Sequence, residues 1–286
     1  MNDVEAPPPV LKLPPERRSL ALRATAWIYL AFMILVPLSA VLHDGLREGV
    51  GDFWANVSRP TAWHALKLSV WTGAVMAVLN AVIGTMTAYV LVRYDFPGKR
   101  IVNVLVDLPF AVPTLVTGVM LVLIYGPQGA VGGWLDRELG WRVLFSPPGI
   151  ILALLFVNYP IVVRTVQPVL AEVDVDQEDA ARTMGATPGQ TFARVLLPAI
   201  GPAVASGFLL SFARALGEFG SIVMVAGNIP MRSQTAAVYV LSQIESENQR
   251  GASAMSVVLL GVSFTVILFT DAMQRKREAR LGRIIT

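Results

Sequence analysis

The sequence predicts an all-α, polytopic membrane protein with six transmembrane helices and one structured extramembrane loop. Two observations carry this. Of 286 residues, 54% are hydrophobic and only 15% charged, with mean hydropathy +0.59; soluble domains average about 25% charged residues, and a water-soluble fold could not cover so much apolar surface. Six stretches also reach the roughly 20 apolar residues a bilayer crossing needs. They lie at about 21–42, 65–92, 101–125, 149–168, 198–226 and 252–272. High apolar content excludes intrinsic disorder. The absence of Cys excludes disulfides, thiolate metal sites and a Cys nucleophile. The net charge of +3 is ordinary for a membrane protein and implies no nucleic-acid partner.

The chain opens with a Pro-rich arm, residues 1–20, carrying Pro7, Pro8, Pro9, Pro14 and Pro15. The apolar run Ala24–Leu42 exceeds a signal peptide's h-region of about 7–15 residues, so the first span reads as a retained anchor. Trp54, Trp63 and Trp71 suit interface anchors. The pair Gly98-Lys99 reads as the turn between the second and third spans. It lacks the glycine five residues earlier that a phosphate loop requires. Pro109 and Pro113, Pro160, and Gly201-Pro202 are breakers within the third, fourth and fifth spans, where proline removes a backbone donor.

Basic residues give the orientation. With the N-terminus cytoplasmic, the inside segments hold Lys12, Arg17, Arg18, Arg23, Arg93, Lys99, Arg100, Arg182, Arg194, Arg275, Lys276, Arg277, Arg280 and Arg283. The outside segments hold only Arg47, Arg59, Arg137, Arg142, Arg232 and Arg250. This bias predicts both termini inside. The permease domain then covers 21–272, and 273–286 is a basic cytoplasmic tail.

The connection 171–197 is the most specified extramembrane segment. Glu172, Asp174, Asp176, Glu178 and Asp179 precede or open a helix through Ala180–Met184, where carboxylates complement the macrodipole. Gly185 fits the C′ position. Thr187, Pro188 and Gln190 then form an N-cap, first helical position and capping-box partner for a second helix. A helix–turn–helix of this definition exceeds what a connector needs, and predicts a docking element for a cytoplasmic partner.

In the fifth span Ser211, Arg214, Glu218 and Ser221 fall within an arc of about 80° on a continuous helix. Charges at that depth face a bundle interior or a watery cavity. Two readings stand: a stripe lining an anion path, or an i,i+4 ion pair that neutralises itself and pins packing. Gly217 and Gly220 would permit close helix approach. Arg164 reads as snorkelling to the cytoplasmic interface, and Asp107 as paired or wetted. His43 and His64 are too isolated for a metal site.

The loop also carries a family resemblance. Asp179, Ala180, Ala181, Gly185, Val195, Leu197 and Pro198 stand at the spacing of the motif EAA, three residues, G, nine residues, I-x-L-P of ATP-binding-cassette (ABC) importer permeases. Asp179 replaces the motif Glu and Val195 the Ile, and Glu178 is an adjacent alternative acid. DLPFAVPTLVTGV (107–119), IVVRTVQPVL (161–170), SFARALGEFGSIVMVAGNIP (211–230) and QIESENQRGASAMSVVLL (243–260) resemble sulfate/thiosulfate permease subunits of the T type, and also related molybdate permeases. The resemblance spans roughly 60–270. It implies the type I importer permease fold and a heterodimer with a W-type sister. It also implies two copies of an ATPase that bind ATP, so that no cofactor belongs to this chain. A periplasmic binding protein delivering sulfate or thiosulfate and a bacterial inner-membrane location complete the picture. The 171–197 loop would be the coupling helix seated in the ATPase.

Two other classes are weighed. A gradient-driven carrier would show inverted repeats and a discontinuous helix pair; no repeat is visible. An intramembrane hydrolase would need a His-Glu-x-x-His, paired Asp or Ser–His arrangement, and none occurs.

Overall fold

The computed structural model describes residues 16–285, with the side chains of 16–19, 21 and 274–286 outside the description. The Pro-rich arm up to residue 15 also lies outside it. In chain order the helices are α1 (Glu16–Leu46), α2 (Val50–Val57), α3 (Pro60–Arg93), α4 (Lys99–Ala111), α5 (Thr114–Tyr125), α6 (Ala130–Leu139), α7 (Pro147–Glu172), α8 (Val175–Thr183) and α9 (Pro188–Thr191). A π-helical turn, Phe192–Leu196, follows. Then come α10 (Leu197–Leu216), α11 (Gly220–Ala226), α12 (Ala236–Glu245) and α13 (Gln249–Ile285).

Among the described residues, five segments are long and apolar enough to cross a membrane: Leu22–Leu46, Pro60–Arg93, Pro147–Glu172, Pro188–Leu216 and Gln249–Met273. The sixth expected span is not one straight helix. α4 and α5 are bent 108° apart at Val112-Pro113, where Val112 is extended (φ −85°, ψ 125°), as a residue before proline prefers. The fifth span is also corrected. Its helix starts at Pro188, not 198, and stops at Leu216; Gly217, Glu218 and Phe219 break it before α11. The second loop helix is therefore not separate from the membrane part: α9 runs through the π turn into α10. Pro198 accounts for the wide turn, because its ring lacks an N–H and crowds the carbonyl four residues back. The first span starts at Leu22, as expected, and runs on to Leu46 instead of 42; its helix reaches back to Glu16, and the C-terminal helix continues into the basic tail.

α3, α7 and α10 form the centre. Ile150, Leu154, Met76, Ala215 and Ile222 pack in one cluster, and Val162, Val163, Val166, Leu170, Leu196 and Ile200 in another nearer the loop. Small residues set the spacing. Val162 of α7 sits between Gly84 of α3, where an added Cβ would meet it at 2.9 Å, and Gly207 of α10, at 3.2 Å. α1 lies outside this core, held to α13 by the Asp44–Ser253 hydrogen bond (2.5 Å) and the Glu48–Arg250 ion pair (2.8 Å). Trp54, Trp63 and Trp71 are all exposed.

Candidate functional site

The docking loop is built by local chemistry. Asp174 caps α8, its Oδ1 accepting from the Asp176 amide at 3.0 Å. Gly185 takes φ +86°, and a complete Schellman closure follows. The amides of Ala186 and Gly185 donate to the carbonyls of Ala181 (3.0 Å) and Arg182 (2.9 Å). Thr187 and Gln190 form a reciprocal capping box at 3.3 and 2.9 Å, with Pro188 at the helix start. The expectations for Gly185, Thr187, Pro188 and Gln190 are met; the Asp174 cap was not among them.

The structure separates the two candidate acids. Glu178 is buried, and its Oε1 accepts from Nε of Arg93 at 2.7 Å. Asp179 faces outward and pairs only locally with Arg182 at 3.2 Å. Ala180, Gly185, Leu197 and Pro198 are exposed, Ala181 is buried and Val195 half-buried. Between the two helices lies a groove of about 330 Å³ lined by Ala181, Met184, Gly185, Gln190, Arg194 and Val195. Met184 on its rim is 82% exposed, an apolar side chain turned away from the core. Neither Met184 nor Arg93 was singled out from sequence as part of this site. A Met beside a C′ glycine was a visible signal; Arg93, 85 positions from Glu178, gave none.

The second constellation sits at the far end of α10. Arg214 Nη1 donates to Glu218 Oε2 at 3.0 Å. Glu218 Oε1 accepts from the Ser221 amide (3.2 Å) and hydroxyl (3.1 Å). The four residues do not lie on one continuous helix, which corrects the stripe. Glu218 stands in the break, buried, and caps α11; Arg214 is nearly half exposed. Ser211 is not in this network, since its hydroxyl donates to the Phe208 carbonyl of its own helix at 3.0 Å.

The two breaks meet. A Cβ at Gly220 would stand 2.1 Å from Thr114 Oγ1, and one at Gly118 would stand 2.7 Å from Met224 Cβ. α5 and α11 thus run side by side in the same direction, starting from adjacent breaks. Gly220 is a close approach as expected, whereas Gly217 is not: its nearest neighbour is the Arg214 carbonyl, 3.9 Å away. Discontinuous helices are therefore present here too, and do not by themselves mark a gradient-driven carrier.

Arg164 does not snorkel. It clamps α7 to α4, with Nε and Nη2 on the two Asp107 oxygens (2.7 and 2.6 Å). Nη1 reaches Asn103 Oδ1 (2.9 Å) and Gln167 Oε1 (2.6 Å), and Nη2 the Asn103 carbonyl (2.7 Å). Replacing Arg164 with Met leaves Asp107 and Asn103 unmatched. The expected loss is at most about 1–3 kcal/mol, the cost of leaving a hydrogen-bonding group unsatisfied, discounted because both ends are partly exposed. The thermal midpoint of the detergent-purified permease measures it; an unchanged midpoint would remove the clamp's role.

The fold is one of broken and straight spans with a sharply capped loop between two of them. The chain belongs to the family described as "Binding-protein-dependent transport system inner membrane component", whose model matches residues 80–283. It is a multi-pass membrane protein and a permease subunit of an ABC importer. Such a subunit works with a separate ATPase and a substrate-binding protein and is not an enzyme on its own.

It is 40% identical over 259 residues to the "Probable sulfate transport system permease protein cysT" of Nephroselmis olivacea, covering 91% of each chain. It is 38% identical to the "Sulfate transport system permease protein CysT" of Synechococcus elongatus, covering 87% of this chain and 89% of that one. Among solved structures, a chain of a bacterial alginate ABC transporter in complex with its periplasmic protein superposes with TM-score 0.73 at 17% identity. The match covers 91% of this chain and 96% of that one, a likeness of fold alone.

Proposed function

We propose that this chain is the T-type permease of an ATP-driven importer for sulfate or thiosulfate. The observation that carries the substrate is identity of about two residues in five, over nine-tenths of the chain, to permeases named for sulfate transport. In this reading the chain pairs with a W-type sister permease and engages two copies of an ATPase. A periplasmic sulfate/thiosulfate-binding protein supplies the anion. The location is a bacterial inner membrane, with both termini and α8 in the cytoplasm, as the basic-residue bias supports.

The α8–α9 element is the coupling helix. Glu178, Asp179, Ala180, Ala181, Gly185, Val195, Leu197 and Pro198 shape it, with Asp179 the partner-facing acid, Glu178 the inward anchor and Met184 the apolar contact. At the meeting of the two breaks, Glu218, itself fixed by Ser221, holds Arg214, whose donors not committed to Glu218 face the anion path. A guanidinium suits a tetrahedral dianion through paired N–H groups.

The test is ATP-dependent uptake of radiolabelled sulfate into vesicles holding the permease pair, ATPase and binding protein. Uptake suppressed by excess thiosulfate but not by molybdate is expected. An assembled, ATP-hydrolysing complex that takes up molybdate and not sulfate would overturn the substrate assignment and leave the importer architecture standing.

A further inference from the structure

α8 is nine residues long, too short to hold its shape or position by itself. Only Glu178 and Ala181 of it are buried. It is joined to α7 through Val173-Asp174, a two-residue extended hinge about which it could swivel. On its other side α8 packs against α9 and the π turn; one side chain from α3 spans the hinge itself. Arg93, in the last turn of α3, donates from Nε to Glu178 Oε1 at 2.7 Å and from Nη2 to the Val173 carbonyl at 2.9 Å. Its side chain is 12% exposed and that of Glu178 2%. The planar guanidinium is suited to two such bonds at a fixed angle. The ends of α3 and α7 and the body of α8 are thereby one unit, although α3 is remote from α8 in sequence.

α3 leads from this point to the far site. At Gly73, twenty positions before Arg93 and so about 30 Å along a helix, it packs against Phe212 and Ala215 of α10, which flank Arg214. We infer that Arg93 is the positioning residue of coupling: it carries displacement of α8 into α3, and α3 carries it to the break that holds Arg214 and Glu218. This rests on α8 being the ATPase-facing element. The connection is a chain of packed, rigid elements.

The test uses the whole complex in vesicles with three versions of the chain: unaltered, Arg93→Gln, and Arg93→Gln/Glu178→Gln. The double variant leaves no buried charge unpaired and guards against simple misfolding. Two quantities are read at equal amounts of assembled complex: sulfate taken up per ATP hydrolysed, and amide hydrogen exchange of segments 88–95 and 173–183 with and without trapped ATP.

In the unaltered complex, trapping ATP is expected to change exchange in both segments together. In both variants only 173–183 should respond, and uptake per ATP should fall roughly tenfold, within the 5–150-fold span of coupling free energies. The double variant should be no worse than the single. The inference is overturned if 88–95 responds equally in the variants, if uptake per ATP is unchanged, or if uptake and hydrolysis fall in proportion. Absence of sulfate uptake by the unaltered complex, with the exchange linkage intact, would overturn the sulfate assignment and support the Arg93 link.

Discussion

Gly185→Val is expected to abolish most ATP-driven uptake while leaving membrane insertion and basal hydrolysis by the partner intact. Gly185 closes α8 at φ +86°. Its two backbone bonds, through its own amide and that of Ala186, direct the chain into the Thr187 cap. A β-branched residue in this left-handed conformation costs about 1–2 kcal/mol. Nothing lies within 4 Å of a Cβ built at Gly185, so the cost is conformational and not a clash inside the chain. The closure opens, and the groove bounded by Met184, Gln190 and Arg194 loses its shape.

A graded series separates this cause from crowding of the docked partner. Asn is larger than Ala but tolerates the left-handed region better. Gly185→Asn should therefore retain more uptake than Gly185→Ala. The reverse order would mean that the partner senses volume at this point and not backbone direction. Gly189, which also has nothing near its Cβ but does not take a positive φ, is the control, and its Ala variant should transport normally. Full uptake by Gly185→Val would defeat the docking-loop assignment.

How much of this was legible in the sequence follows the range of the interactions. Caps are local, so Gly185, Thr187 and Gln190 announced their geometry within a few residues. Spans were legible as composition, but their continuity was not. Hydropathy stays high through 198–226, and only Gly217 hinted that α10 ends. Prolines gave an ambiguous signal. Pro37, Pro160, Pro168 and Pro202 sit inside unbroken helices, whereas Val112-Pro113 marks a 108° bend. At the bend the residue before the proline, Val112, has left the helical region (φ −85°, ψ 125°), and a proline's presence in the sequence does not say which prolines do this. The Arg164 and Arg93 clamps are tertiary. Their partners lie 57 and 85 positions away; alone, Arg164 reads as a charge snorkelling from the end of a span and Arg93 as one more basic residue of a cytoplasmic segment.

At the helix break, Glu218→Gln is expected to lower uptake roughly tenfold or more. The amide oxygen can still accept from the Ser221 amide, so α11 keeps its cap, but Arg214 loses the charge that fixes it. Glu218→Leu removes the cap as well and should also reduce the amount of assembled permease. Arg214→Leu should also reduce assembly, for a different reason: it leaves Glu218 buried with only Ser221 as partner. An uncompensated buried charge costs about 3–5 kcal/mol, lessened here because the guanidinium is nearly half exposed. The double variant Arg214→Leu/Glu218→Leu removes both charges and decides between the two roles of the pair. If Arg214 meets the anion, assembly recovers relative to either single Leu variant while uptake stays low. If the pair only pins α10 to α11, assembly and uptake recover together. We expect the first outcome. Glu218 is buried and committed to Ser221 on one oxygen and Arg214 on the other, whereas Arg214 keeps much of its surface open at the point where two broken helices meet.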